Sequence, residues 1–249
     1  MQADREQTFL SHLAELRKRL LYSLACVLIV FIPLSFFSGT LYSALSTPLI
    51  EQFIPGNRMI ATEVAATFIV PIKLSFYLAV LLSMPFILYQ AWAFVAPGLY
   101  SNERKLALPL LCTSIVLFYC GMIFAYFIIF PIVFGFFIAV APEGVTVMTD
   151  ISRYLDFIMK LSLAFGLAFE VPVITLLVTA TGITTAEKLR EGRPYIIVGA
   201  FVIGMLLTPP DVLSQVLLAV PIWLLFELGL LISRRYTQPE NRGDTEESP

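Results

Sequence analysis

The chain alternates between long apolar blocks and short polar connections, and the blocks have the length of membrane-spanning helices. Crossing about 30 Å of hydrocarbon takes about 20 mostly apolar residues at about 1.5 Å of rise each. Four blocks meet this criterion: residues 20–37 (with a few residues more), 74–95, 106–130 and 161–178. The pattern therefore predicts four full membrane spans.

Two shorter apolar blocks follow, residues 195–207 and 212–232, separated only by Thr208-Pro209-Pro210-Asp211. The first of them has 13 residues, which as a helix reach about 20 Å and fall short of the hydrocarbon core. Taken alone, this block is equally compatible with a buried or re-entrant segment. The tight turn nevertheless makes the two blocks a hairpin whose halves cross the membrane together or not at all.

Positively charged side chains accumulate on one side of the predicted spans. Cytoplasmic loops of membrane proteins carry an excess of Lys and Arg. If both termini share a side, twelve of the 16 Lys and Arg residues lie on it, and the other side holds only Arg58, Lys73, Arg153 and Lys160. This distribution predicts six spans with both termini in the cytoplasm.

The segment before the first span has the pattern of an amphipathic helix. Its apolar residues recur at helical spacing and are Phe9, Leu13, Leu16 and Leu20. Glu15, Arg17 and Lys18 lie on the opposite side. The pattern predicts a helix on the cytoplasmic surface of the membrane.

The predicted fold class is all-α: a polytopic membrane protein with six transmembrane helices, the last two short, in a concave bundle. Residues 1–236 are predicted to form one domain, and residues 237–249 a polar, disordered tail. The outer loops, near 38–73 and 139–156, are predicted to pack as caps. Prolines bend the helices and so curve the bundle; they are Pro71, Pro85, Pro109, Pro131, Pro172, Pro194 and Pro221.

The composition supports a membrane protein and excludes several other classes. The chain is 58% hydrophobic and 14% charged, with a mean hydropathy of +0.86, whereas soluble domains average about 45–50% and about 25%. A net charge of −2 without a basic run gives no sign of a nucleic-acid partner. Three cysteines without a CxxC pair and a single histidine give no sign of a metal site or any other cofactor.

A few polar residues inside apolar blocks are candidates for function. Glu170 lies near the middle of the fourth block, where a charged residue costs about 2.5–3.5 kcal/mol, so it should face protein, water or a partner. A carboxyl that hydrogen-bonds a neighbouring helix is the simpler alternative. Gln215 is expected to bond across to another helix. Glu227 is expected at the membrane interface because Arg234 and Arg235 follow it closely.

Two carboxylates lie near helix ends on the predicted cytoplasmic side, Glu15 and Glu103. Carboxylates can bind a guanidinium in a bidentate fork, although ordinary solvated charges are the simpler reading of each alone. Thr208 and Asp211 are compatible with turn and capping positions. The sequence has no HExxH, no Gly-rich nucleotide loop and no GxSxG, so it does not predict an enzyme.

The chain resembles the TatC family over nearly its whole length, to about Tyr236. The segments that carry the resemblance are HLAELRKRL (12–20), IATEVAATFIVPIKLSF (60–76), QAWAFVAPGLYSNERK (90–105), FEVPV (169–173) and GMLLTPPDVLSQ (204–215). The family is the multi-spanning receptor of the twin-arginine translocase. The resemblance implies a role in moving folded proteins across the bacterial inner membrane, driven by the proton-motive force. It also implies single-span TatA and TatB partners, further copies of the chain and no cofactor.

The resemblance also implies roles for individual residues. The patch that reads the twin-arginine motif of signal peptides would consist of Glu15, Arg17, Phe94 and Glu103. The docking surface for partner helices would consist of Met205, Leu206, Thr208 and Gln215. Glu170 would be the polar residue of the concave groove, Pro48 would shape the outer cap, and Asp211 would mark the tip of the last hairpin.

Two other functions are compatible with parts of the sequence. A proton-coupled secondary transporter would use Glu170 as its mid-membrane proton carrier, but such folds are commonly built from inverted repeats, and this chain has no internal repeat. An intramembrane enzyme would need paired catalytic residues, which the spans do not contain. Without the resemblance, receptor and transporter would rank about equally; with it, the receptor is favoured.

Overall fold

The computed structural model describes residues 2–44, 59–95, 104–140, 149–207 and 212–237, and most of them are helical. In chain order the helices are α1 (Gln2–Phe36), α2 (Ala66–Val95), α3 (Arg104–Phe124), α4 (Phe130–Ala139), α5 (Ile151–Ala168), α6 (Val171–Ala180), α7 (Ala186–Glu191), α8 (Arg193–Leu207) and α9 (Val212–Thr237). Residues 38–44 are also helical. The strands are β1 (Met59–Ile60) and β2 (Thr149–Asp150).

Among the described residues, five helical stretches are long and apolar enough to cross a membrane, and a sixth is shorter. They are His12–Phe36, Ala66–Val95, Leu108–Ala139, Ile151–Ala180, Gln215–Arg234 and the shorter Arg193–Leu206. The predicted all-α membrane fold is confirmed, with one two-residue strand pair added. Of the last two helices only α8 is short, with 15 residues, whereas α9 has 26. Arg234 and Arg235 extend α9 because arginine favours helices and suits their C-terminal ends.

The surface helix predicted before the first span is not a separate element. Helix α1 runs unbroken from Gln2 to Phe36, so the amphipathic segment and the span are one helix. No glycine occurs in this stretch, and its single proline, Pro33, lies near the end. Without an internal breaker, adding each further residue to a formed helix is favourable, so the chain has no reason to bend at residue 20.

The third predicted span, which was expected to stop at residue 130 before Pro131, continues as α4 to Ala139. A π-helical segment, Ala125–Ile129, immediately precedes that proline, and the Phe130 N–H donates to the Ala125 carbonyl. A proline ring normally clashes with the carbonyl four residues earlier. The π-helical turn is wider than an α-helical turn and relieves this clash, so the span continues beyond the proline.

Two spans begin earlier than their apolar blocks. Helix α5 starts at Ile151 rather than at residue 161, and α2 starts at Ala66 rather than at residue 74. The first turns of α5 contain Arg153, Asp156 and Lys160, which a search for continuous apolar residues rejects. Their helical periodicity nevertheless places Tyr154, Leu155 and Ile158 in the core. The outer loop predicted at 139–156 is correspondingly shorter.

The helices form two compact units, the first within Met1–Leu99 and Phe134–Met159 and the second within Tyr100–Val133 and Lys160–Pro249. In the first unit, α1 packs against α2, where the Phe31 ring meets the edge of Phe76 at 5.5 Å between centroids. The Phe134 ring of α4 packs on Tyr154 of α5 at 5.2 Å. Aromatic pairs of this kind prefer particular ring geometries, so they specify a helix contact more closely than the burial of apolar area alone does.

A small hydrogen-bonded junction joins the segment before α2 to the start of α5. Strand β1 pairs in parallel with β2, and the Asp150 Oδ2 accepts from the Thr62 hydroxyl at 2.6 Å and from the Thr62 N–H at 3.0 Å. The Asp150 Oδ1 accepts from the N–H groups of Ser152 and Arg153, which open α5. These bonds, chiefly the one from the Thr62 hydroxyl, lower the pKa of Asp150 to about 2.

In the second unit, α3 and α5 approach closely at two glycines. A Cβ at Gly121 would lie 2.4 Å from the Phe165 carbonyl oxygen, and a Cβ at Gly166 would lie 2.7 Å from the Phe118 ring. Phe118 and Phe165 are fully buried at this contact. Helix α9 also packs against α6, where Gly229 approaches Pro172. Small residues are the usual means of bringing membrane helices together, because they let the backbones approach.

The substitution Gly121→Ala is expected to destabilise the protein, because the new methyl group meets backbone atoms that cannot rotate away. Overpacking of this kind costs about 1–3 kcal/mol. The melting temperature of the detergent-solubilised protein, followed by circular dichroism, should therefore fall. Gly199→Ala is the matched control: nothing lies within 4 Å of its Cβ, and alanine favours the helix. Equal melting temperatures for the two variants would contradict the close approach of α3 and α5.

The Thr62–Asp150 junction is expected to stabilise the protein in a pH-dependent way. Because folding lowers the pKa of Asp150, to about 2, its contribution is complete above the ordinary aspartate value of about 3.9 and is lost as the pH falls towards 2. Asp150→Asn should thus melt below the wild type at pH 7, and the difference should vanish between about pH 4 and pH 2.

Glu63→Gln is the matched control for this prediction, since it removes a carboxylate from the same loop segment and the Glu63 side chain is exposed. It should melt like the wild type at pH 7. A difference between wild type and Asp150→Asn that stays constant from pH 7 to pH 2 would show that the carboxylate charge is not what the junction uses.

Candidate functional site

The N-terminal part of α1 lies beside the C-terminal end of α2, and two side-chain contacts fix them there. The His12 ring stacks on the Phe94 ring with 4.3 Å between centroids and an interplanar angle of 23°. One helical turn beyond Glu15, the Arg19 Nη1 donates to the Gln90 Oε1 at 3.3 Å. Glu15 lies on α1 between these contacts, so α2 flanks the turn of α1 that carries it.

Glu15 already has a guanidinium partner within α1. The Arg19 Nε and Nη2 both donate to the Glu15 Oε1, at 3.1 Å and 2.6 Å. The exposed fraction of the side chain is 38% for Glu15 and 23% for Arg19, so the pair is accessible from solvent. This is charge-assisted hydrogen bonding with both donors directed to one oxygen.

A cavity of about 430 Å³ opens beside this pair and is lined by Ala14, Glu15, Lys18, Arg19 and Tyr22. The Lys18 ammonium lies over the Tyr22 ring, 5.7 Å from its centroid, a distance at which a cation and an aromatic face attract. All five of these residues belong to α1, so the cavity is an open groove along one face of that helix. The cavity is large enough for an arginine side chain.

The structure brings some members of the predicted signal-peptide patch together. Glu15 and Phe94 belong to the same α1–α2 junction, with His12 as the link. Arg17 is exposed on α1 and takes part in none of the contacts that hold Arg19. Glu103 lies outside the described residues. His12, Arg19 and Gln90 were not predicted as site residues, although the family-like segments 12–20 and 90–105 contain all three.

Glu170 lies where the fourth span is interrupted between α5 and α6. Its backbone occupies the N-cap position of α6, and Pro172 follows inside the first turn of that helix. The missing N–H of the proline removes a backbone bond, so the helix stops and restarts. Glu170 is 7% exposed, and its carboxyl hydrogen-bonds to Ser114 of α3. Its Oε1 is buried and has no hydrogen-bond partner among the described residues.

The predicted partner-docking residues lie at the hairpin of α8 and α9. Met205 is 53% and Leu206 is 74% exposed at the end of α8. Gln215, in the first turn of α9, comes back against Gly204, where an added Cβ would meet the Gln215 backbone at 3.5 Å. Met205, Leu206 and Gln215 are therefore neighbours. The remaining predicted residues, Thr208, Asp211 and Pro48, lie outside the described residues.

Arg193 and Glu227 form an ion pair that the sequence analysis missed. The Arg193 Nη2 donates to the Glu227 Oε2, and this bond joins the start of α8 to α9. Each group keeps one buried atom, the Arg193 Nε and the Glu227 Oε1, without a hydrogen-bond partner among the described residues. In an antiparallel hairpin, residues equally far from the tip face each other, which is the signal that would have found this pair.

Within the described ranges, no group of three or more His, Cys, Asp or Glu residues is arranged to hold a metal ion. The arrangement that remains is a set of polar contacts at helix ends and at one helix break. Chemically it can bind cationic side chains at Glu15 and polar groups of other helices at Glu170 and Gln215.

Comparison with known proteins places the chain in a family. Residues 11–221 match the model of "Sec-independent protein translocase protein (TatC)". The chain is 54% identical over 236 residues to the Sec-independent protein translocase protein TatC of Escherichia coli K12, covering 95% of this chain and 92% of that protein. It is 55% identical over 238 residues to the protein of the same name from Haemophilus influenzae, covering 96% of this chain and 93% of that protein.

Solved structures agree with the sequence relatives. A crystal structure described as the twin arginine translocase receptor TatC superposes with a TM-score of 0.82 at 35% identity, covering 91% of this chain and all of that one. A second, determined in DDM, gives a TM-score of 0.80 at 36% identity, covering 89% of this chain and 99% of that one. The residues matched by the family model, 11–221, include the segments that carry the candidate sites. The chain belongs to the TatC family of Sec-independent protein translocase proteins.

Proposed function

We propose that this protein is the receptor subunit of a twin-arginine translocase. It binds twin-arginine signal peptides of folded precursor proteins at the cytoplasmic face of the bacterial inner membrane. It then nucleates assembly with further copies of itself and with the single-span subunits TatA and TatB for export driven by the proton-motive force. The observation that carries this proposal is the half-exposed Glu15 carboxylate at the α1–α2 junction, beside a cavity large enough for an arginine side chain.

The chemistry of the signal explains why carboxylates suit its recognition. A guanidinium presents planar, paired N–H donors that match both oxygens of a carboxylate, whereas an ammonium offers a single point charge. In this proposal Glu15 and Glu103 each accept one arginine of the signal. Arg17 and Phe94 complete the patch: Phe94 supplies an apolar surface next to Glu15, and Arg17 an exposed cation that repels basic residues outside the motif.

The orientation follows the charge distribution of the whole chain. Twelve of the 16 Lys and Arg residues lie on the side of the two termini, which is the cytoplasmic side in this proposal. Pro48 then belongs to a cap on the opposite face, and Asp211 to the hairpin tip on that face. Residues 1–236 act as one membrane domain, and residues 237–249 as a cytoplasmic tail.

The hairpin end of α8 and α9 is the proposed docking surface for TatA and TatB. Met205 and Leu206 present exposed apolar side chains there, and Thr208 and Gln215 add polar groups that a partner helix can hydrogen-bond. A single such bond is worth about 0.6–2 kcal/mol in membranes. Glu170 is the polar residue of the concave groove in this proposal, and its Oε1 is a buried acceptor without a hydrogen-bond partner among the described residues.

Binding of a labelled twin-arginine peptide to the purified protein in detergent tests the receptor site. Glu15→Gln and Glu103→Gln should each weaken binding about 10- to 100-fold, since a charged hydrogen bond is worth about 1.5–3 kcal/mol. A peptide with Lys-Lys in place of Arg-Arg should bind the wild type with a similar loss. Fluorescence anisotropy gives the dissociation constants.

Glu187→Gln is the matched control for this experiment. It removes an exposed carboxylate of α7 on the same predicted side of the membrane, and it should leave binding of the peptide unchanged. Equal affinities of wild type, both site variants and the Lys-Lys peptide would mean that the signal is held only by its apolar part. The proposal for the patch would then be wrong.

The short length of helix α8 allows a test of the role of the hairpin in export. Its 15 residues reach about 22 Å, less than the hydrocarbon thickness of about 30 Å. The bilayer beside it should therefore thin, and we propose that this thinning helps cargo to pass. Inserting four apolar residues after Val198 should reduce export of a folded fluorescent reporter about tenfold or more.

The same four residues inserted into the 238–249 tail are the control for expression and membrane insertion. Immunoblots of membranes should show equal amounts of the two insertion variants. Undiminished export by the variant with the longer α8 would contradict the thinning proposal without affecting the proposed signal-peptide site.

A further inference from the structure

The carboxylate assigned to signal recognition is already occupied by a guanidinium of the same chain. Arg19 directs two N–H donors at one oxygen of Glu15, the Oε1. The second oxygen, Oε2, takes part in none of the side-chain bonds that the described residues make. The geometry of the free protein therefore resembles a carboxylate that has captured one arginine.

A second contact holds Arg19 from the side of α2. Its Nη1 donates to the Oε1 of Gln90, a side chain that is only 8% exposed. Gln90 is neutral, so this bond does not compensate the charge of Arg19, but it fixes where the guanidinium lies. Were the bonds to Glu15 broken, Arg19 would keep a hydrogen-bond acceptor in Gln90.

We infer that Arg19 is a built-in competitor for the signal peptide: it occupies Glu15 in the empty receptor, and an arginine of the signal displaces it. This inference rests on the proposed function of Glu15. The displaced Arg19 remains tied to Gln90, and the incoming guanidinium enters the cavity that Ala14, Lys18 and Tyr22 line beside Glu15. Arg19 thus sets how strongly a ligand must bind to reach Glu15, and it is not itself a ligand of the signal.

The energetics suit a displaceable partner. A Glu–Arg pair four residues apart on an accessible helix surface stabilises the helix only weakly, so an incoming arginine can replace it. The pair nevertheless neutralises the carboxylate, so an approaching cation binds only if its affinity for Glu15 is high enough to displace Arg19. A lysine, with one point of contact, competes poorly against a guanidinium held by two donors. Because Arg19 must leave Glu15 before any ligand binds, it lowers the affinity for every ligand by the same factor. A ligand that binds Glu15 weakly then falls below the affinity needed for capture, whereas a twin-arginine signal stays above it.

The decisive variant is Arg19→Gln, tested with the full-length protein in detergent and labelled Arg-Arg and Lys-Lys peptides. Release of Glu15 should tighten binding of the Arg-Arg peptide about two- to fivefold, the size of an exposed ion pair. Binding of the Lys-Lys peptide should tighten by the same factor, so the ratio of the two dissociation constants should stay unchanged. Arg19→Lys should lie between Arg19→Gln and the wild type.

Lys18→Gln is the matched control, because it removes the same charge from the same cavity without touching Glu15. Its effect reports the general electrostatic attraction for a basic peptide and should be smaller than that of Arg19→Gln. Equal effects of the two variants would overturn the competitor role, because charge alone would then explain the gain. Weaker binding by Arg19→Gln would overturn it too, since Arg19 would then position Glu15 for the signal.

A double-mutant cycle separates this inference from the function on which it rests. In the Glu15→Gln background, Arg19→Gln should no longer tighten binding beyond the effect of Lys18→Gln, because nothing is left to release. If Glu15→Gln alone leaves binding unchanged, the receptor site and the competitor role both fail. If Glu15→Gln weakens binding but Arg19→Gln gives no gain, only the competitor role fails.

Discussion

The spans of this protein lie in a medium that offers no hydrogen bonds, so every backbone donor and acceptor must be satisfied within the protein. Each irregularity in the helices meets that constraint locally. The π-helical segment keeps its bonds by widening the turn, as the Phe130 N–H bond to the Ala125 carbonyl shows. After the break at Glu170, the Ile174 N–H returns to the Glu170 carbonyl, and the Thr175 hydroxyl adds a bond to the Val171 carbonyl. At both of these irregularities the backbone departs from the α-helix within two residues of a proline.

The same constraint governs the polar side chains and explains where candidate function lies. Glu170 sits at the helix break, where Ser114 supplies one hydrogen bond. Arg193 and Glu227 form an ion pair at the other end of the hairpin from Gln215, although each keeps one buried atom without a partner among the described residues. Glu15 and Arg19 also pair with each other on α1, near the start of the apolar stretch His12–Phe36. Pairing lowers the energetic cost of a charged side chain. A carboxylate that uses only one of its two oxygens in the pair can still exchange its partner.

The sequence predicted the kind of structure well and its detailed contacts poorly. Apolar block length was enough to find the six helical segments, because burial in hydrocarbon depends on composition over about 20 residues. It misplaced the start of α5, where charged residues occupy one face of a helix whose other face is buried, and the start of α2, where the single charge of Lys73 interrupts the apolar block. It predicted a separate surface helix before residue 20, because amphipathic pattern alone does not show where a helix ends. The Arg19–Gln90 and Arg193–Glu227 contacts join residues 71 and 34 positions apart, and single-sequence patterns hold no signal for such pairs beyond the hairpin register.

The junction between Thr62 and Asp150 has a consequence for biogenesis. Its two partners are 88 residues apart along the chain, so the first must be synthesised well before the second exists. At about 5–20 residues per second, that interval lasts several seconds on the ribosome. During it the loop between α1 and α2 has neither its strand partner nor its carboxylate acceptor. Assembly of the first unit is therefore completed only when α5 has been synthesised, and not when α1 and α2 alone have been inserted.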